Sequence, residues 1–127
     1  MAQTMNTTRY SWSVERLLGP WSITGPSRVV AQAALLDRAW QAATRSRLQQ
    51  DGERLRLVLQ EAGISATGGC YLFQYIQIDN ADFLHRQLAQ RGILTRLFGQ
   101  PPGIRFGLPG REAEWLRLQI ALAEVCK

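Results

Sequence analysis

The stretch GILTRLFGQPPGIRFGLPG, residues 92–110, decides how this chain folds. Two short apolar runs flank the breaker cluster Gly99-Gln100-Pro101-Pro102, the pattern of a β-hairpin. With that cluster as the loop, Phe98 faces Gly103, Leu97 faces Ile104 and Arg96 faces Arg105. Side-chain alternation then puts Ile93, Thr95, Leu97, Ile104, Phe106 and Leu108 on one face, which suits a core. The other face carries Leu94, Arg96, Phe98, Gly103, Arg105 and Gly107. Two like charges directly opposite on a sheet destabilise it by up to about 1 kcal/mol. A bound anion would offset this, because guanidinium groups pair bidentately with carboxylate and phosphate. The glycines leave room for a ligand or another backbone to approach. Two alternatives stand beside that reading: the arginines extend into water, or they pair with acidic side chains from elsewhere. A slip of one residue would move one arginine to the other face.

Working outward, Pro109-Gly110 ends the sheet, and a helix over about 111–125 follows. Glu112 and Glu114 fall in its first turn, where the helix dipole favours them. Trp115, Leu118, Leu122 and Val125 lie on one side, with Leu116 and Ile120 widening the buried face. Upstream, Asn80 caps a helix over 81–91 that turns Phe83, Leu84 and Leu88 inward and ends at Gly92. GGCYLFQYIQI, residues 68–78, is bounded by turn residues and reads as one strand. From Ser27 to about Ala62 the pattern is helical, with Pro26 suited to the first turn. Ala31, Ala34, Leu35 and Ala39 form one packing stripe; Leu48, Leu55, Val58, Leu59 and Ala62 form another. Gly52 interrupts the run and marks a bend, and Gly63 is a natural residue just past the helix end. Arg38, Arg45, Arg47, Arg54 and Arg56 lie mainly off the stripes and read as a solvated face. LGPWSITGPSR (18–28) is turn-rich, Val14–Leu18 is expected as a short helix, and residues 1–13 are expected as a mobile tail. The order α-α-β-α-β-β-α makes an α+β fold: a two-layer sandwich with a small antiparallel or mixed sheet of about three strands covered by helices.

The chain has 127 residues, 46% of them hydrophobic and 20% charged, which fits a single core-forming domain. No apolar run approaches the roughly 18 residues of a membrane span. MAQTMNTTRYSWS lacks the regions of a signal peptide, so the expected location is the cytoplasm, with no membrane partner. Cys70 and Cys126 match no metal-ligand or redox spacing and are expected as reduced, mostly buried thiols. No metal site is expected.

The net charge is +5, and its basic side is almost wholly arginine, with Lys127 the sole lysine. Chemistry that needs an interior lysine is therefore closed to this chain alone. His85 reads as a surface helix residue, and no catalytic triad, dinucleotide fingerprint or phosphate-binding glycine loop is present. Tyr71, Phe73 and Tyr75 alternate as in nucleic-acid stacking sheets, but packing is the plainer explanation, and no nucleic-acid partner is expected.

LGPWSITGPSRVVAQAALLDRAWQAATRSRL (18–48), GGCYLFQYI (68–76), ADFLHRQLAQRGILTRLF (81–98) and PPGIRFGLPGREAEWLRLQIAL (101–122) resemble the carboxy-terminal part of fold-type I pyridoxal-phosphate enzymes. Within these they are similar to the histidinol-phosphate aminotransferase-like group, and most to its cobalamin-pathway threonine-phosphate decarboxylase branch. The resemblance covers about residues 17–125 and implies the class I/II aminotransferase C-terminal domain fold. It divides the chain into a tail (1–13), a lead-in from a large domain (14–26) and the small domain (27–127).

The resemblance also implies two roles. The arginine of the RFGLP-type strand, Arg105, binds the substrate α-carboxylate. The arginine of the GI-x-x-R strand, Arg96, binds the substrate phosphate. The implied substrate is threonine phosphate, and the implied reaction removes its α-carboxyl group as carbon dioxide to leave aminopropanol phosphate. Pyridoxal phosphate would serve as the electron sink in the whole enzyme. A member of the group is roughly three times this length. The part beyond this chain carries the imine-forming lysine, the aspartate on the pyridine nitrogen and most ligands of the cofactor phosphate. The expectation is therefore a fragment or truncated product that holds no catalytic residue and no cofactor-binding residue. Its implied partners are the missing large domain, a small anionic amino-acid phosphate and a second copy in a homodimer. Two other readings remain: the small domain of a histidinol-phosphate or related aminotransferase, and a stand-alone arginine-rich binding or oligomerisation module.

Overall fold

The structure, a computed structural model, describes residues 23–126. The expected tail (1–13), the short helix at 14–18 and the GPW turn lie outside the described residues. The chain divides into two units, Met1–Gln41 and Ala42–Lys127. In the first, helix α1 spans Gly25–Leu36 with Pro26 in its first turn. Thr24 caps it, its hydroxyl accepting the Ser27 N–H at 3.4 Å. The helical run does not continue unbroken to Ala62. It stops at Asp37, whose carboxylate accepts the Trp40 N–H at 2.9 Å and starts a new helix, α2, Arg38–Glu61. The stripe expected from Ala31, Ala34, Leu35 and Ala39 is not a buried one, since α1 buries no residue and Leu35 is exposed.

The second unit holds the core. Helix α2 runs straight through Gly52 and buries Gly52, Leu55, Val58 and Leu59. Gly52 is thus a contact point, where a bend was expected. A Cβ there would lie 2.8 Å from the Tyr71 Cα, so only a bare glycine lets that turn pack so close. Just past the helix end stands Gly63 (φ +77°), and the Ile64 N–H reaches back to the Leu59 carbonyl at 2.9 Å. That six-to-one closure fills the last carbonyls and drops Ile64 into the core.

Residues 68–78 make a hairpin, where one strand was expected. Strands β1 (Gly68–Cys70) and β2 (Phe73–Gln77) pair antiparallel around Tyr71-Leu72. The Cys70 sulfur accepts the Leu72 N–H at 3.5 Å across the turn. A continuous apolar run hid the reversal, because Tyr71 and Leu72 are exposed apolar residues at its tip. Helix α3 (Ala81–Gln90) follows, then β3 (Arg96–Phe98), β4 (Gly103–Gly107) and helix α4 (Glu112–Val125). The described residues therefore hold four helices and an open four-stranded antiparallel sheet of order β1-β2-β4-β3, one strand more than expected. The fold class is α+β, as the sequence indicated.

Strand β4 is central. Its Ile104 and Phe106 are buried against Leu55, Leu59, Leu84, Leu88, Trp115, Leu118 and Leu122. Ala81, Leu84 and Leu88 are the inward face of α3; Phe83, expected there, is exposed. Asn80 sits at the cap position without a side-chain cap bond. Gly92 (φ +72°) repeats the Gly63 closure, with the Ile93 N–H on the Leu88 carbonyl at 3.0 Å. On α4, Trp115, Leu118, Ala121 and Leu122 are buried, whereas Leu116 and Ile120 stay exposed and do not widen the buried face. Both cysteines are exposed, against the expectation of burial: Cys70 lies on the short edge strand and Cys126 just past α4.

Polar contacts fix the helices to one another. Arg54 of α2 grips Glu112 of α4 through two bonds of 2.6 and 2.7 Å, and its guanidinium lies 4.4 Å above the Trp115 ring. The arginine read as solvated is thus a clamp. Arg91 bonds Glu124 at 2.9 Å. His85 bonds Thr95 at 2.8 Å, tying α3 to the lead-in of β3. The Glu114 carboxylate accepts the Gly110 N–H at 2.7 Å and the Arg111 N–H at 3.2 Å, closing the start of α4.

Two outcomes follow from this packing. Gly52→Ala is expected to destabilise the chain by about 1–2 kcal/mol in urea unfolding, since overpacking costs about 1–3 kcal/mol. This holds even though alanine is favoured over glycine in a helix by about 1 kcal/mol; a gain in stability would contradict the close approach to Tyr71. The second concerns acid. The Arg54 guanidinium holds the Glu112 carboxyl below its ordinary range, and the backbone N–H groups of Gly110 and Arg111 do the same for Glu114. A depressed folded-state value means stability present above the ordinary glutamate range and lost as pH falls through the depressed values. Glu114→Gln should therefore flatten the acid limb of a stability–pH curve, and an unchanged limb would refute that role.

Candidate anion-binding site

The register of the hairpin is the one the sequence indicated. Arg96 pairs with Arg105, Leu97 with Ile104 and Phe98 with Gly103. The loop Gly99–Pro102 is held at its far end by the Ile78 N–H, which donates to the Pro102 carbonyl at 3.2 Å. Because Ile104 and Phe106 are anchored in the core, alternation leaves Arg105 no choice of face. Thr95, Ile104 and Phe106 of the expected core face are buried, and Ile93 and Leu108 are half-buried. Leu97 is the exception at 38% exposure, because β3 is an edge strand.

The opposite face is built by three strands. Strand β2 places Phe73 beside Gly107, Tyr75 beside Arg105 and Gln77 beside Gly103. Tyr75, Arg105 and Arg96 therefore form one row across the sheet, with Phe73 and Phe98 in the rows on either side. In the sequence Tyr75 is one of an alternating aromatic series, and its place beside Arg105 follows only from the β2–β4 register. The Arg105 guanidinium lies 4.9 Å over the Phe73 ring, toward the Gly107 end. The Arg96 guanidinium lies 5.4 Å over the Phe98 ring, toward the hairpin loop. The two charges therefore lean in opposite directions along the strands, each on an aromatic face. Cation–π contact of this kind contributes about 0.5–1 kcal/mol at an exposed position.

Among the described residues, neither arginine forms an ion pair or a hydrogen bond with another side chain. The acidic groups nearest in sequence are engaged elsewhere: Asp82 with Arg86, Glu112 with Arg54, Glu114 with backbone N–H groups. Arg96 is exposed and Arg105 half-buried. A guanidinium stacked by its face on an aromatic ring keeps its rim of N–H donors free. The face thus carries two guanidinium groups, one over Phe98 and one over Phe73. No cluster of metal-ligating side chains occurs among the described residues, and no described helix is long and apolar enough to cross a membrane.

The class of protein is set by comparison of sequences. The chain is 49% identical over 105 residues to a threonine-phosphate decarboxylase of Pseudomonas aeruginosa, covering 83% of this chain and 32% of that protein. It is 33% identical over 109 residues to a threonine-phosphate decarboxylase of Sinorhizobium sp., covering 85% of this chain and 32% of that protein. It is 33% identical over 92 residues to a histidinol-phosphate aminotransferase of Shewanella amazonensis, covering 69% and 25%. No family model matches. The chain is a homologue of this threonine-phosphate decarboxylase and histidinol-phosphate aminotransferase group, and it spans about a third or less of the length of the relatives it matches.

The opposed arginines are open to a direct check. A double-mutant cycle of Arg96→Met and Arg105→Met should return a repulsive coupling, from a few tenths to about 1 kcal/mol, in ligand-free low-salt buffer. The coupling should shrink as salt is added. An attractive or salt-independent coupling would show that the two charges do not face each other.

Proposed function

We propose that this chain is the substrate-anion-binding part of a threonine-phosphate decarboxylase, with Arg105 holding the α-carboxylate and Arg96 the phosphate. The observation that carries this reading is the pair of opposed arginines, free of acidic partners among the described residues and turned apart on one open sheet face. Threonine phosphate bears two anions separated by a short carbon chain, so two separated cations match it better than one concentrated patch. The names of the relatives support that substrate class. A phosphate ester also sits in the name of the aminotransferase relative, which fits Arg96 as the shared phosphate contact.

Pyridoxal phosphate would supply the electron sink for loss of the carboxyl group in the whole enzyme. Residues 1–126 contain no lysine, the residue type that joins this cofactor as an imine. The described residues therefore do not fit a complete pyridoxal-phosphate site. Their part is to bind and orient the substrate: the arginine on the carboxylate fixes the bond to be broken, and the arginine on the phosphate fixes the far end. Two-point charge-assisted binding of this kind restricts rotation of the ligand as well as its position. The chemical step belongs to the portion of such an enzyme that this chain does not span. The product in this reading is aminopropanol phosphate with carbon dioxide, and the setting is the cytoplasmic synthesis of cobalamin.

Calorimetric titration distinguishes the two roles. O-phosphothreonine should bind more tightly than aminopropanol phosphate, which lacks the carboxylate. Arg105→Ala should erase that difference while keeping phosphate-dependent binding; Arg96→Ala should weaken both ligands by about tenfold, the scale of one charge-assisted bond. Equal affinity of the unsubstituted chain for both ligands, or no effect of either substitution, would overturn the assignment.

A further inference from the structure

The ring of Tyr75 does not stand upright in its own row. It lies across the neighbouring row, over the bare Cα of Gly103. A Cβ on Gly103 would stand 2.7 Å from the Tyr75 Cζ and would overlap its hydroxyl. Phe98, the partner of Gly103 on β3, braces the ring edge-on, with centroids 5.6 Å apart and planes at 86°. This is the edge-to-face geometry aromatic pairs prefer. The tyrosine thus fills the space on the loop side of Arg105. Arg96 leans to that same side, over Phe98, while Arg105 leans the other way, over Phe73. A ring seated on Gly103 occupies the sheet surface on the loop side of Arg105, the side to which Arg96 leans.

We propose that Tyr75, seated on Gly103, is a positioning residue that sets the separation of the two guanidinium groups and so selects ligands with two spaced anions over a single compact anion. The inference rests on the reading of Arg96 and Arg105 as anion sites, and adds the device that makes them two sites rather than one. Gly103 acts through the missing Cβ alone, and Phe98 through the edge of its ring. The Tyr75 hydroxyl is not needed for spacing, because bulk is what blocks the rotation of Arg105.

The test is the ratio of affinities for O-phosphothreonine and inorganic phosphate, measured by amide NMR titration of the 127-residue chain. Tyr75→Phe should keep the ratio. Tyr75→Ala, Tyr75→Leu and Gly103→Ala should each lower it, by about tenfold for the alanine at 75, with phosphate itself binding as well as before or better. A general loss of packing weakens both ligands together and leaves the ratio unmoved, so the ratio separates spacing from stability. Tyr75→Leu and Gly103→Ala serve if Tyr75→Ala does not fold, and the fold of each is read from its amide spectrum. An unchanged ratio in folded variants would overturn the role of Tyr75. If Arg96→Ala and Arg105→Ala in the otherwise unsubstituted chain leave O-phosphothreonine binding intact, the anion-site reading itself fails.

Discussion

The structure turns on the alternation of three residues, Ile104-Arg105-Phe106, in the central strand. Ile104 and Phe106 are 0% and 2% exposed and contact the core that α2, α3 and α4 supply. Fully burying two such side chains contributes about 3–6 kcal/mol. A repulsion of up to about 1 kcal/mol between two arginines is small beside that. The core therefore dictates the register, the register dictates that Arg105 faces Arg96, and the cost is tolerated. The aromatic residues reduce it further by drawing the two charges apart. A feature that looks unfavourable in isolation is held in place by a larger favourable one.

The same hierarchy explains what was legible in the sequence. The register of the hairpin 92–110 was readable, because its loop is marked by Gly-Gln-Pro-Pro and its core face by alternation, although Leu97 of that face stays exposed on the edge strand. The β1–β2 hairpin was not, because Cys70-Tyr71-Leu72-Phe73 contains no turn-forming residue and its exposed tip is apolar. Gly52 illustrates the opposite trap. It looked like a bend in a helix, and it is the place where Tyr71 packs against one. No local signal distinguishes the two, since the reason lies about twenty residues away in a turn that was itself hidden. Phe83, Leu116 and Ile120 were assigned to the buried faces by periodicity, but the amphipathic stripe only bounds the buried arc and does not fix its edges.

The candidate site shows the same split. Arg96 and Arg105 were legible as a pair from the hairpin alone. The roles proposed for them, phosphate and carboxylate contacts, rest on family resemblance, and the matches to threonine-phosphate decarboxylases support the family. Tyr75 and Gly103 were not legible as a unit, because their meeting depends on β2 and β4 lying side by side, a contact between residues 28 positions apart. Long-range register is what the sequence withholds most, and it is where the face acquires its shape.

The central claim is that two arginines, and no others, receive the two ends of one ligand. Side-chain Nε NMR of the arginines during titration with O-phosphothreonine tests it most directly. The account predicts that the Arg96 and Arg105 signals both move and saturate together, and that only Arg96 responds when the carboxylate is absent from the ligand. Movement of the exposed helix arginines Arg38, Arg45 or Arg47 instead, with Arg96 and Arg105 unmoved, would contradict it.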